Sequence, residues 1–213
     1  MTEEADSVRD LGERILGMHG GKRLIVGVAG APGSGKSTLA EALKAEIDRA
    51  RPGLAAVLPM DGYHYDDAVL SELGRLARKG APDTFDVGGL AQMLRRLAAN
   101  DEETVAVPVF DRQIETARAG ARLIPRSVGI VIAEGNYLLL KRPPWSLLDG
   151  LFDFTVMIDV PTDVLRRRLE ARWQHFGLSE AEIRRKVDTN DLPNGITVIE
   201  ESRPADCRIA FDG

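Results

Sequence analysis

The run Gly30-Ala31-Pro32-Gly33-Ser34-Gly35-Lys36-Ser37, followed by Thr38, fits the pattern G-x-x-x-x-G-K-[ST] at every position. Its chemistry is the holding of phosphate. Glycines let the backbone turn successive N–H groups inward around phosphate oxygens. The N-terminus of a following helix adds a positive field. Lys36 is placed to reach the β- and γ-phosphates, and the Ser37 hydroxyl to ligate Mg²⁺. A bound nucleotide is what this loop implies. It leaves the reaction open, because switches, motors, transporters and kinases all carry such loops.

Two carboxylates stand where they can act on that phosphate. One apolar run, 55–60, ends on Asp61; another, 128–133, ends on Glu134. If both runs are strands of one parallel sheet, both acids arrive at the γ-phosphate side of the loop. Glu134 is then the acid that holds Mg²⁺, directly or through water. Asp61 is the base that accepts the proton of an attacking hydroxyl, with a share in the metal left open. A base beside a magnesium–phosphate centre must be an anion that tolerates the metal, which suits a carboxylate.

The hydrophobic pattern supplies the elements that must carry these groups. Val8, Leu11, Ile15 and Met18 recur at helical spacing and predict an opening helix within 1–20. Residues 23–30 read as a strand buried on both faces. Leu39, Leu43 and Ile47 mark the helix after the phosphate loop, and 54–60 a second strand. Leu70, Leu73 and Leu76 predict a helix closing near Gly80-Ala81-Pro82; Leu90, Met93, Leu94 and Leu97 predict another. A β-hairpin is expected over 104–124, with charged residues between its arms. Further strands are expected at 128–134, 153–160 and the tail. A lid region, 162–190, holds a long helix with Leu165, Leu169 and Phe176 as its buried stripe, then a capping box of Ser179 and Glu182.

Strands alternating with helices predict an α/β protein. The expected architecture is three-layered, α/β/α, with a mainly parallel five-stranded sheet, right-handed crossovers and a small hairpin flap. Ligands collect at the carboxyl ends of such strands, which places Gly30, Asp61, Glu134 and Asp159 along one edge.

Composition narrows the class. The chain has 213 residues, 44% hydrophobic and 29% charged, with no linker or repeat, which reads as one domain over 1–213 with a substantial core. A net charge of -5 argues against a sequence-independent grip on nucleic acid. The single cysteine, Cys207, fits a reducing compartment. The first residues are acidic where a secretion signal is basic, and no apolar run is long enough to cross a bilayer. The expectation is a cytoplasmic protein with a small-molecule partner and neither nucleic acid nor membrane; a homodimer is left open.

Together, GAPGSGKST, MDGYH, FDVGGL, PVFDR and EGNYLLL resemble the P-loop NTPase superfamily of uridine kinase, pantothenate kinase and phosphoribulokinase, from about Lys22 to the end of the chain. Within it, APDTFDVGGL, AEGNYLLL and TNDLPN are most similar to bacterial fructose transport system kinases. The resemblance implies transfer of the γ-phosphoryl group of ATP to a hydroxyl of a small metabolite, a sugar first. Uridine, pantothenate and glycerate-type acceptors come next, and a regulatory ATPase is the rival of another class. It implies Asp61 as base and Glu134 as metal acid, in agreement with the reading of the strands.

The same resemblance implies an acceptor set. Asp86 of the FD element touches the acceptor, His64 lines its site, and Tyr65 is one residue on. Phe110, Asp111 and Arg112 of PVFDR resemble an acceptor-binding flap, and Asn136 and Tyr137 follow the metal acid. Arg168 matches a lid arginine that meets the ATP phosphates. Arg172, four residues on, shares its helix face. TNDLPN, 189–194, is expected to turn near the adenine. In place of the longer aromatic and His-containing flap of uridine kinases this chain has Arg112, which weakens a nucleoside reading.

Overall fold

The computed structural model describes residues 3–4 and 7–211, with side chains from Ser7 onward. The outermost ends of the expected 1–213 domain, and part of the expected 1–20 segment, lie outside the described residues.

The chain begins with a two-residue strand, β1 (Glu3–Glu4), and helix α1 (Val8–Met18). Strand β2 (Leu24–Gly30), buried along its whole length, runs into the glycine loop and helix α2 (Lys36–Ala50). Strand β3 (Ala55–Pro59) leads through a short turn of 3-10 helix, Met60–Tyr63, to α3 (Asp67–Glu72) and α4 (Val87–Ala99). The hairpin is β4 (Thr104–Asp111) with β5 (Thr116–Pro125). Then come β6 (Ile130–Gly135), β7 (Phe154–Asp159), α5 (Thr162–His175), α6 (Glu180–Lys186), α7 (Leu192–Glu201) and β8 (Cys207–Ala210).

The main sheet has the order β1-β8-β7-β2-β6-β3, every pair parallel. The five expected strands are there, with β1 added at the edge beside β8. Side chains of α1 and α2, such as Leu11, Ile15, Leu39 and Leu43, pack with one face. Leu90, Leu94 and Leu97 of α4, with Tyr137, Trp145 and Val198, cover the other. A strand covered on both faces has no polar side to show, which is why β2 and β6 read as unbroken apolar runs.

Three local expectations are corrected. The helix expected across Leu70, Leu73 and Leu76 stops at Glu72: Gly74 turns the chain at φ +64, and Leu73 and Leu76 are exposed. Phe176 lies just beyond the end of α5 and is 47% exposed, so only Leu165 and Leu169 form the buried stripe. Residues 189–194 are not a loop: 187–191 form one wide helical turn that joins α6 to α7, and 192–194 begin α7. Pro193, which has no N–H to donate, falls where the wide turn passes into α7.

The segment 79–84 is tied down from three sides. The Tyr137 hydroxyl donates to the Gly80 carbonyl at 2.6 Å, and Trp145 Nε1 to the Pro82 carbonyl at 2.9 Å. Asn190, in the wide turn, donates through Nδ2 to the Lys79 carbonyl at 3.2 Å.

Candidate active site

Strand register brings the phosphate loop and both acids to one edge. Val28 and Pro59 each lie opposite Glu134, and Gly30 opposite Ile158. The chain therefore leaves β2, β3 and β6 at one level, and Lys36, Asp61 and Glu134 all line a single cleft of about 440 Å³.

Gly35 stands at φ +92, a conformation open to glycine, and α2 starts at the next residue. The Lys36 side chain folds back so that Nζ donates to the Ala31 carbonyl at 3.0 Å. The Ser37 hydroxyl donates to Glu134 Oε1 at 3.2 Å. Both charged groups are buried, and burial acts on them in opposite directions. It lowers the Lys36 ammonium to about 8, against the upward pull of Glu134 and Asp61. It lifts the Glu134 carboxyl to about 7, reinforced by the nearby Asp61. Each therefore gains from a partner of opposite charge: phosphate for Lys36, a cation for Glu134.

An Mg²⁺ ion fits this chemistry. Ser37 and Glu134 present adjacent hard oxygen donors, and no group of three or more His, Cys, Asp or Glu capable of holding a metal occurs among the described residues. Few protein ligands are what Mg²⁺ uses when phosphates and water complete its shell.

Opposite the loop lies the wall built by the 3-10 turn and the hairpin. The His64 Nδ1 lies 2.8 Å from the Asp61 carbonyl, an acceptor, so Nδ1 carries the hydrogen. Burial lowers the His64 pKa, keeping the ring neutral with Nε2 as an acceptor. The ring packs 4.0 Å from Phe85 and 4.7 Å from Phe110, centroid to centroid. Between Val107 and Val109 the hairpin register slips, and Phe110, Arg112 and Glu115 at its tip line the cleft. Arg112, the first residue of the turn, donates through Nη2 to Asp61 Oδ2 at 2.9 Å.

The third wall comes from α5 and the wide turn. Leu165 and Leu169 pack against Ala31, Ile183, Val187 and Leu192, which seats α5 on the glycine loop. Arg168 and Arg172 both face the cleft, Arg168 with contacts at 3.5 Å to the Ser34 carbonyl and 3.4 Å to that of Phe211. Burial, then the neighbouring Arg112, lowers the pKa of Arg172. Trp173 donates to Asp191 at 2.6 Å, and Asn190 and Asn194 share a 3.1 Å bond.

A protein from Schizosaccharomyces pombe described as "Putative uridine kinase" is 35% identical over 191 residues, covering 85% of this chain and 80% of that protein. The chain belongs to the P-loop kinase family of uridine kinase, pantothenate kinase and phosphoribulokinase. A pantothenate kinase from Sorangium cellulosum is also 35% identical, over 170 residues that cover 76% of this chain and 54% of that one. Among solved structures, a "putative fructose transport system kinase" from Silicibacter sp. superposes with a TM-score of 0.88 at 36% identity, covering 96% of this chain and 99% of that one. The model of the methylmalonyl Co-A mutase-associated GTPase MeaB matches residues 2–80, the part that holds the glycine loop.

The kinase gathers most, not all, of the residues that its sequence points to. Pro32, Gly33, Gly35, Lys36, Ser37, Thr38, Asp61, His64, Phe110, Arg112, Glu134, Asn136, Arg168 and Arg172 line the cleft. Gly30, Ala31 and Ser34 lie beneath it: Ser34 is fully buried, and Ala31 serves through its carbonyl.

Four of the residues expected at the acceptor do not line this cleft. Asp86 is the N-cap of α4, its carboxylate accepting from the Gly89 N–H at 2.8 Å outside the cleft. The helix start takes up one oxygen of that carboxylate, and Asp86 is not among the residues that line the cleft. Tyr137 is fully buried, its hydroxyl spent on Gly80. Asp111 pairs with Arg118 at 3.3 Å across the hairpin. Tyr65 lies past the turn and is not on the cleft wall.

Lys79 and Trp173 are on the wall without having been singled out as site residues. No local pattern marks Lys79, which reaches the cleft only because Tyr137, Trp145 and Asn190 hold its loop there. Asn190 and Asn194 stand four residues apart, a same-face spacing that Pro193 disguises as a loop.

Proposed function

We propose that this kinase transfers the γ-phosphoryl group of ATP to a hydroxyl of a small polyhydroxylated metabolite of the sugar class. The observation that carries the proposal is the shared cleft. The Asp61 carboxylate, at the end of β3, faces the same space as Lys36 and the Ser37–Glu134 pair. A regulatory ATPase shares the loop and Glu134; what favours a kinase is the wall of His64, Phe110 and Asn136 beside Asp61, which offers an acceptor a place in the same cleft.

In this reading the loop backbone and Lys36 hold the β- and γ-phosphates, while Arg168 and Arg172 approach from the lid side. Ser37 and Glu134 hold Mg²⁺, which supplies neutralisation of charge on the phosphate oxygens. The acceptor lies between Phe110, the neutral His64 ring and Asn136, with its hydroxyl on Asp61. As that oxygen bonds to the γ-phosphorus, the bond to the bridging oxygen breaks and ADP leaves. The hydroxyl proton passes to Asp61. Such transfer needs little covalent help; positioning and charge neutralisation supply most of the rate.

The reaction is proposed to run in the cytoplasm; among the described residues no helix is long and apolar enough to cross a membrane. The deciding experiment is ADP release with Mg·ATP against sugars, polyols, nucleosides and pantothenate, with products identified by mass spectrometry. Strong stimulation by one compound, with its phosphorylated product, is the expected result. Flat, slow hydrolysis with every compound would favour the ATPase reading instead.

A further inference from the structure

We propose that a side cavity beside Asp61 is the water chamber of the magnesium ion, and that Glu41 is the positioning residue that holds a metal-bound water there. This rests on the reading above in which Ser37 and Glu134 hold Mg²⁺.

Two spaces adjoin the Ser37–Glu134 pair. One is the cleft of about 440 Å³. The other is a cavity of about 170 Å³ between α2, the end of β3 and the hairpin. Ser37, Asp61 and Glu134 line both. Glu41, Val109 and Arg122 line the smaller space and not the cleft.

That division of space suits a hydrated ion. Mg²⁺ keeps a near-octahedral shell of oxygens and gives up its waters reluctantly. The Ser37 hydroxyl takes Oε1 of the buried Glu134 and leaves Oε2 for the metal. Nucleotide phosphates enter from the cleft, over the glycine loop. The waters that complete the shell need room on the other side. At about 30 Å³ each, roughly five fit the side cavity.

The charges there suit it as well. Three carboxylates, Glu41, Asp61 and Glu134, meet two guanidiniums. Arg112 is paired with Asp61 at 2.9 Å, and Arg122 donates through Nη1 to the Val57 carbonyl at 2.6 Å. Among the described residues no hydrogen bond or ion pair engages the Glu41 carboxylate. It stands one helical turn after Ser37, on the same side of α2. The three acids do not share an ion directly: no group of three or more such side chains capable of holding a metal occurs among the described residues. A coordinated water spans the gap, because the metal polarises its O–H groups and they seek acceptors. Glu41 is the acceptor whose carboxylate is not spent elsewhere.

The test titrates the full chain with ADP, once in EDTA and once in excess Mg²⁺, by calorimetry. The difference is the tightening that the metal gives. Glu41→Gln is expected to reduce that tightening by about 10-fold, with affinity in EDTA unchanged. Glu41→Asp keeps the charge but is one methylene short, and is expected to recover only part. Val109→Phe fills the chamber. With Mn²⁺ in place of Mg²⁺ it is expected to lower the water-proton relaxation of the bound Mn·ADP complex. Circular dichroism checks that the variants fold.

Full tightening in Glu41→Asp overturns the proposal, since charge alone would then suffice. Unchanged tightening in Glu41→Gln, or unchanged relaxation in Val109→Phe, overturns it too. Glu134→Gln separates the two readings. If that variant abolishes the tightening and Glu41→Gln does not touch it, the water chamber falls and the Ser37–Glu134 metal site stands. If Glu134→Gln leaves the tightening intact, both fall.

Discussion

A methyl group on Gly62 would lie 2.6 Å from the carbonyl oxygen of Pro108. The hairpin thus crosses the turn after β3 at a distance that only glycine permits, and the neighbour is backbone, which cannot swing aside. The expected result of Gly62→Ala is a displaced hairpin. Stability should fall by about 1–3 kcal/mol. Acceptor KM should rise while ATP affinity, measured by calorimetry, stays near the parent value. Unchanged acceptor kinetics would mean that the hairpin does not form the acceptor wall.

Asp61→Asn keeps the shape of the side chain and removes its basicity. Turnover is expected to fall by about 10²–10⁴-fold with ATP binding largely kept. Single-turnover kinetics beside nucleotide titration would read both, and near-normal turnover would remove Asp61 from the role of base.

Lys36→Ala should weaken ATP use whatever the acceptor, because Lys36 belongs to the glycine loop, where its Nζ bonds to the Ala31 carbonyl. A loss confined to one acceptor would contradict that assignment. Equilibrium binding of a fluorescent ATP analogue checks it without any acceptor present.

The Glu134 carboxyl, raised by burial to about 7, gives a pH dependence of definite sign. Between the ordinary value of 4.5 and about 7 the unfolded chain has lost this proton and the folded chain keeps it. Glu134 therefore favours folding most at acid pH, and that contribution declines as pH rises through this window. Lys36, lowered to about 8, acts above it: there the unfolded chain holds the proton and the folded one does not, so stability gains as pH rises from about 8. Mg²⁺ requires Glu134 ionised, so affinity for Mg·nucleotide should rise with pH from about 6 to 8. Calorimetry in buffers of different ionisation enthalpy should record proton release on binding at the low end.

Tyr137→Phe separates scaffold from site. The lost bond to the Gly80 carbonyl should cost about 1 kcal/mol in denaturant unfolding. The acceptor profile should change little, because Trp145 and Asn190 still hold the loop that carries Lys79.

Much of this was legible in the residues. The glycine loop announces itself because phosphate binding fixes both residue types and spacing. Glu134 and Asp61 were readable because buried parallel strands are unbroken apolar runs, so the first acid after each run marks its mouth. Other residues were not readable, for a common reason. Asp86 follows an aromatic residue and precedes glycines, a context that serves a helix cap as well as a ligand, and in the fold its carboxylate accepts from the Gly89 N–H. Tyr137 sits three residues after Glu134, and periodicity cannot tell which way its ring turns. Lys79 and Trp173 reach the cleft through contacts far away in sequence. The wide turn at 187–191 was hidden by Pro193, a residue that ends most helices yet is tolerated at the start of one.

The tether between Asn190 and the backbone of Lys79 has a mechanical meaning. It joins the wide turn at 187–191 to the loop that carries Lys79, and Lys79 continues the link to the hairpin tip through the Glu115 carbonyl. Three segments far apart in the chain, the wide turn, the loop at Lys79 and the hairpin tip, are thus stitched into one continuous rim of the cleft.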